Sequence, residues 1–221
     1  MFMYILQDCI PDGITAGEYR KRQELQVSLE YLWHRPSIDE VVALTAAALH
    51  REVDDVLTQD VCEHLDQADE MLSVYQGSTL VGYMLLTFPL EGLVYIAGTM
   101  VDPKFHGVGI KARATQVVMG KCSGRRYFAG RTQSSIVWAS VTRSASAVLP
   151  STKVGEPEPQ MVKMRQRLVE ELGMDGAIHE GFYGGPLYGA KPAHRDEAVQ
   201  AWWDTFINFE RGDAVLYIAR L

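Results

Sequence analysis

Val101-Asp102-Pro103-Lys104-Phe105-His106-Gly107-Val108-Gly109-Ile110-Lys111 is the stretch on which the fold turns, because it joins a run of strand character to a run of helical spacing through two glycines. Glycine lets the backbone come close to a ligand, and the first N–H groups of a helix point outward with the positive end of its dipole behind them. A strand end, a Gly-x-Gly loop and a helix start therefore form a cradle for an anion, and a diphosphate has the right size.

The charge around this stretch agrees. From 103 to 155 there is no Asp or Glu, yet Lys104, Lys111, Arg113, Lys121, Arg125, Arg126, Arg131, Arg143 and Lys153 all fall there. The whole chain carries 21 Lys and Arg against 28 Asp and Glu, a formal charge of −7. An acidic protein has gathered its positive charge around one loop and one helix, which suits a compact polyanion and argues against a nucleic-acid partner spread over the surface.

Working upstream, Met71 to Tyr75, Leu80 to Phe88 and Leu93 to Val101 have β-type composition, and Gln76-Gly77-Ser78 and the segment from Pro89 to Gly92 punctuate them. They predict an antiparallel meander leading into the loop. Downstream, a helix is expected over Val108 to Met119 with Gly120 as its left-handed terminator, then a strand over Arg126 to Gln133. Further out lie a strand over Tyr4 to Ile10, a helix from Ala16 to His34, and a helix through Val41 and Leu49 capped by Ser37 or Asp39. Ser151 to Gln160 reads as a connector. A helix from Val162 to Leu172 stopping at Gly173, a glycine-rich run from Gly181 to Gly189, a helix from Glu197 to Phe209 with Ala198, Trp202, Phe206 and Phe209 on one face, and a closing strand from Asp213 complete the pattern. The fold class is α/β with a mixed, largely antiparallel sheet flanked by helices: residues 1–150 form a core and 151–221 an extension that completes the sheet.

With 221 residues, 47% hydrophobic and 22% charged, the chain is long enough for one enlarged domain with a real core. Cys9, Cys62 and Cys122 lie far apart, and no Cys/His spacing indicates a metal. The first ten residues lack a secretory pattern, and no apolar run is long enough to cross a bilayer, so a cytoplasmic protein without membrane contact is expected.

The central stretch resembles the acetyl-CoA-binding motif of the GCN5-related N-acetyltransferase (GNAT) superfamily, Val-x-Pro-x-x-(Arg/Gln)-Gly-x-Gly-Ile-(Gly/Ala). Val101, Pro103, Gly107, Gly109 and Ile110 match it, while His106 replaces the usual Arg or Gln and Lys111 the usual small residue. The likeness extends from about residue 70 to Gln133. It implies that acetyl-CoA is a cosubstrate, that backbone amides from Gly107 through Val108, Gly109 and Ile110 to Lys111 hold its diphosphate beside His106, and that the amide of Met100 or Val101 polarises the thioester carbonyl. It places Ser134 where relatives carry a cofactor-touching Asn. It also implies a Glu about six residues before Val101 as base and a Tyr from the helix after the fifth strand as acid, although Ile136 to Ala147 contains no Tyr. Tyr95 stands where relatives often have Glu, so Glu91 is the nearest carboxylate, and Tyr183 and Tyr188 are the substitutes for the acid.

Other patterns are weaker. Gly107 to Ala112 satisfies a Gly-x-Gly-x-x-Ala dinucleotide fingerprint, but the strand stops well before Gly107 and no acidic residue stands about 20 positions on. Gly120-Lys121-Cys122-Ser123-Gly124 imitates a nucleophile elbow with strand and helix in the wrong order. The resulting expectation is an N-acetyltransferase acting on a primary amine of a small molecule or peptide. A non-catalytic acyl-CoA-binding module is the alternative, and the aromatic C-terminal helix and last strand are a candidate homodimer seam.

Overall fold

The computed structural model describes residues 28–152, 156–187 and 191–220. The expected strand over Tyr4 to Ile10, most of the helix from Ala16 and the position of Tyr188 lie outside these residues. The end of that helix is corrected. Leu29–Leu32 is a strand, β1, pairing antiparallel with Ser73 to Gln76. Leu29 and Tyr31 alternate with the outward Glu30 and join the apolar cluster of Val74 and Val81, so pairing and period-two burial override the helical spacing of the leucines.

Two helices follow. In α1 (Ile38–Leu49) Ser37 and Glu40 form a reciprocal capping box. The sequence-based expectation lacks the next helix, α2 (Asp55–Gln67), which Asp54 caps through the Leu57 N–H at 2.7 Å and which buries Leu57, Val61 and Leu65. Strands β2 (Glu70–Gln76), β3 (Thr79–Thr87) and β4 (Leu93–Val101) form the expected meander. Then come α3 (Ile110–Lys121), β5 (Tyr127–Thr132), α4 (Ser135–Ser144), β6 (Ala147–Leu149), α5 (Pro159–Glu171), β7 (Ile178–His179), α6 (Glu197–Asp204) and β8 (Ala214–Arg220). Gly120 lies inside α3 and does not terminate it; the helix runs on to a Cys122 cap.

The strand order is β1-β2-β3-β4-β5-β8-β6, with β7 also on β8. Among the described strands only β4 and β5 are parallel. The sheet has two covered faces. One, which we call the α3 face, packs Val94, Ile96, Phe128 and Tyr217 under α3, α4 and α6. The other, the α5 face, packs Tyr83 and Leu85 under α1 and α2, and Tyr95, Ala129 and Leu216 under α5. The C-terminal strand β8 has β5 on one edge and β6 and β7 on the other, so it offers no open edge for a dimer seam. In α6 the core residue is Trp203, 1% exposed, while Trp202 sits at the margin against Trp138 and Phe206. No helix among the described residues is long and apolar enough to cross a membrane.

The sheet opens between β4 and β5. Their register covers Leu93↔Tyr127 to Ile96↔Gly130 and then stops, although β4 runs on to Val101. On its other edge β4 has a bulge: Leu86 faces Ile96 and Leu85 faces Gly98, leaving Ala97 as the extra residue. The bulge turns β4 away as the Tyr217 hydroxyl fills the fork. A Cβ on Gly130 would lie 2.6 Å from that hydroxyl and 3.2 Å from the Ile96 carbonyl oxygen. Gly130→Ala should therefore destabilise the fold by about 1–3 kcal/mol, read as a lower urea midpoint; adding Tyr217→Phe should recover part of the loss, and an unchanged midpoint in the single variant would contradict this packing.

Candidate functional site

The loop after β4 is built by its own sequence. Asp102 accepts the Lys104 N–H at 2.8 Å and starts a short 3-10 turn over Pro103–Phe105. Gly107 and Gly109 take φ of 77° and 88°, a left-handed region that costs a side-chain-bearing residue energy. Val108 and Ile110 are buried, anchoring the loop on Val81 and Val101. A Cβ on Gly82 would meet the Ile110 side chain and the Met100 carbonyl at 3.3 Å, so a glycine in β3 is what lets α3 start so near the sheet. The N-cap of α3 is Gly109, which has no side chain to offer; the first backbone bond is Arg113 N–H to Gly109 C=O, so the N–H groups of Ile110, Lys111 and Ala112 have no helical partner.

The strand end faces the opening. Asp102 N–H donates to Val81 C=O at 3.0 Å. Alternation in an antiparallel pair then turns the main chain of Met100 toward Tyr83 in β3, and that of Thr99 and Val101 toward the gap beside β5. His106 Nε2 donates to the Val101 carbonyl at 3.2 Å on that side, tying the loop to the strand. The Thr99 hydroxyl, opposite Met84 on the α3 face, is buried with no hydrogen-bond partner among the described residues. A polar atom left dry costs energy unless a ligand satisfies it. Sequence reasoning missed Thr99, because a threonine in a strand carries no distinguishing signal.

Two sequence-predicted residues take unexpected positions. Lys111 turns into the gap between α3 and α4, where it lines a small cavity with Thr115, Phe128, Ser140 and Ser144. Burial brings its ammonium down to about 8. Ser134 is 3% exposed and caps α4 through the Val137 N–H, while its own N–H donates to Thr132. One lone pair of its hydroxyl is thus engaged within the fold.

Glu91 is not brought to the loop. It precedes β4 at the end where β4 and β5 remain paired, separated from Val101 by roughly 26 Å of strand. Tyr183 does come near: its hydroxyl reaches the Arg131 carbonyl at 3.5 Å and its N–H donates to Gly212. Arg131, the first residue of β5 beyond the pairing with β4, gathers a cluster on the α5 face. Its Nε donates to the Tyr95 hydroxyl at 2.7 Å, its Nη1 lies 3.3 Å from His179 Nδ1, and its guanidinium stacks 3.8 Å from the Phe182 ring centre. Burial pushes the Tyr95 phenol up, and Arg131 opposes that shift.

The glycine-rich segment is pinned by Asp213, which is fully buried. Its carboxylate accepts from Arg211 Nε and Nη2 at 2.6 and 2.8 Å and from the Gly181 and Asn208 N–H groups. Arg211 also pairs with Glu180. The Arg211 bond chiefly holds the Asp213 carboxyl down at about 2. At Gly212 a Cβ would collide with the Gly185 backbone at 2.3 Å, so the two segments lie in direct contact.

No family model and no curated protein matches the chain. Solved structures similar to it include GNAT-family acetyltransferases. One from Elizabethkingia anophelis, with acetyl-CoA bound, has 14% identity and a TM-score of 0.46 over 88% of this chain and 99% of that one. A Bacillus cereus IAA acetyltransferase has 12% identity and a TM-score of 0.48 over 88% and 100%. A putative GNAT-family acetyltransferase from Desulfovibrio desulfuricans has 13% and 0.45 over 87% and 98%.

Because the Asp213 carboxyl is lowered in the fold, its contribution is present above the unfolded value of 3.8 and is lost as pH falls toward about 2. Asp213→Asn should cost about 1–3 kcal/mol near pH 7, discounted for the solvent-exposed Arg211. Urea titrations at several pH values should show the gap to wild type narrowing below pH 4; a constant gap would contradict the ion pair as its source.

Proposed function

We propose that this chain is an N-acetyltransferase that moves an acetyl group from acetyl-CoA to a primary amine by direct attack on the thioester. The observation that carries this reading is the junction of three features at one place: the parted β4 and β5, the buried Thr99 hydroxyl on the α3 face beside them, and the start of α3 behind Gly107 and Gly109, whose first N–H groups have no helical partner. A ligand with an amide-bearing arm and a diphosphate satisfies all of them together. The motif resemblance, covering Val101 to Ile110, points to the same ligand.

In this reading the N–H groups of Ile110, Lys111 and Ala112 hold the diphosphate. The Thr99 hydroxyl and the Val101 main chain pair with the pantetheine arm, and the Val101 N–H polarises the thioester carbonyl as charge develops on its oxygen. Met100 faces β3 and serves the core instead. The neutral amine nitrogen attacks the carbonyl carbon from the α5 face, forming the C–N bond. The tetrahedral intermediate expels the thiolate, and the amine's surplus proton passes to solvent while the thiolate takes one from a nearby acid. Tyr183 is the candidate acid, at the mouth of the opening; Glu91 lies too far along β4 to take part. Holding the amine beside the thioester supplies a large share of the acceleration.

Coenzyme A should raise the melting temperature of the wild-type chain and not of Gly109→Glu, which puts a carboxylate and a strained φ at the diphosphate position. Equal shifts in the two would remove the loop from the reading. Acetyl-CoA with a panel of amines should release free thiol; protection by the nucleotide without thiol release would identify a binding module instead. Lys111 loses its proton as pH rises through about 8, so its cation helps the phosphates only below that. Coenzyme A affinity measured by calorimetry should fall several-fold between pH 7 and 9 in the wild type and stay nearly flat in Lys111→Ala; parallel profiles would place Lys111 outside the site.

A further inference from the structure

Arg131 combines a guanidinium stacked on an aromatic ring with two neutral hydrogen-bond partners. A guanidinium has five N–H donors and no acceptor. Two are engaged here, by the Tyr95 hydroxyl and by His179 Nδ1, which must accept because the arginine can only donate. No carboxylate pairs with it among the described residues, whereas Arg211 holds two and Arg220 one. The acids nearest in sequence to its neighbours are committed elsewhere: Glu180 and Asp213 both bond Arg211. The Arg131 side chain is half-buried, with Phe182 covering the flat face of the guanidinium.

Its position gives this unsatisfied fork a purpose. Arg131 follows Gly130, the last β5 residue paired with β4, so it stands where the sheet opens. Its side chain bonds Tyr95 on the α5 face, whereas Val101, Val108 and Ile110 pack together on the α3 face. The diphosphate cradle and the arginine are thus on opposite sides of one gap. A planar, preorganised guanidinium with a free pair of donors matches a carboxylate in two-point geometry better than any other common group.

We propose that the acceptor amine also carries a carboxylate, which Arg131 holds while the amino group reaches through the opening to the thioester: the substrate class is a free amino acid or another amino carboxylate, not a polycationic amine. The inference rests on the acetyltransferase reading. It makes Arg131 a substrate-binding residue, with Tyr95 and His179 fixing the guanidinium and Phe182 stacking on it.

The test compares matched sets, each of a free amino acid, its carboxamide and the corresponding decarboxylated amine, as acceptors in the thiol-release assay. A second readout is independent of turnover: calorimetric binding of N-acetylated amino acids and their carboxamides to the coenzyme A-loaded protein. At least one acid should exceed its two partners in kcat/KM by ten-fold or more, and its N-acetyl form should bind ten-fold tighter than the amide. Arg131→Gln should remove both preferences, mainly through KM, while keeping the thermal shift with coenzyme A that shows an intact fold. Arg131→Lys, which keeps the charge and loses the fork, should fall between. Acids no better than amides in both assays, or equal losses for acid and amide in Arg131→Gln, overturn the proposal and leave the acetyltransferase reading standing. Failure of the wild type to bind coenzyme A overturns both.

Discussion

The structure depends on β4 and β5 running parallel for four pairs and then separating. Parallel neighbours normally continue side by side, and ending the ladder leaves main-chain groups without partners. Here the separation is enforced. The bulge at Ala97 re-aims β4, and the Tyr217 hydroxyl sits in the fork against Gly130. What results is a gap in the sheet with the main chain of Thr99 and Val101 along one wall, the Val101 carbonyl accepting from His106.

In the proposed reading the chemistry is arranged around that gap. On the α3 face the glycine loop and the helix start supply positive partial charge, and Lys111 adds a cation whose proton is loosely held. On the α5 face Arg131 offers its fork inside an aromatic setting, braced by a glycine-rich segment that the Arg211 and Asp213 pair locks down. Of the basic residues between 103 and 155, Lys111 thus lies on one side and Arg131 on the other.

Much of this was legible from the residues alone. The meander, the loop and the helix after it follow from turn chemistry and periodicity close in sequence, and the cap of α1 falls on Ser37, one of the two residues the sequence offers. Less legible was whatever depends on distant pairing. The leucines before His34 have helical spacing, yet β2 recruits Leu29–Leu32 as a strand. Gly120 looks like a terminator but needs no positive φ where α3 places it. Glu91 is near the motif strand in sequence and remote in space, because a strand is extended. Arg131 reads as one cation among nine until β5, β7 and the glycine-rich turn converge on it, and Thr99 acquires meaning only when its hydroxyl is found buried.

The most direct measurement is a crystal structure of the chain with coenzyme A. The account predicts the diphosphate within hydrogen-bonding distance of the Ile110, Lys111 and Ala112 amides, with the pantetheine arm between β4 and β5 and bonded to the Thr99 hydroxyl. A nucleotide bound elsewhere, or a gap closed by continued pairing of β4 with β5, would contradict it.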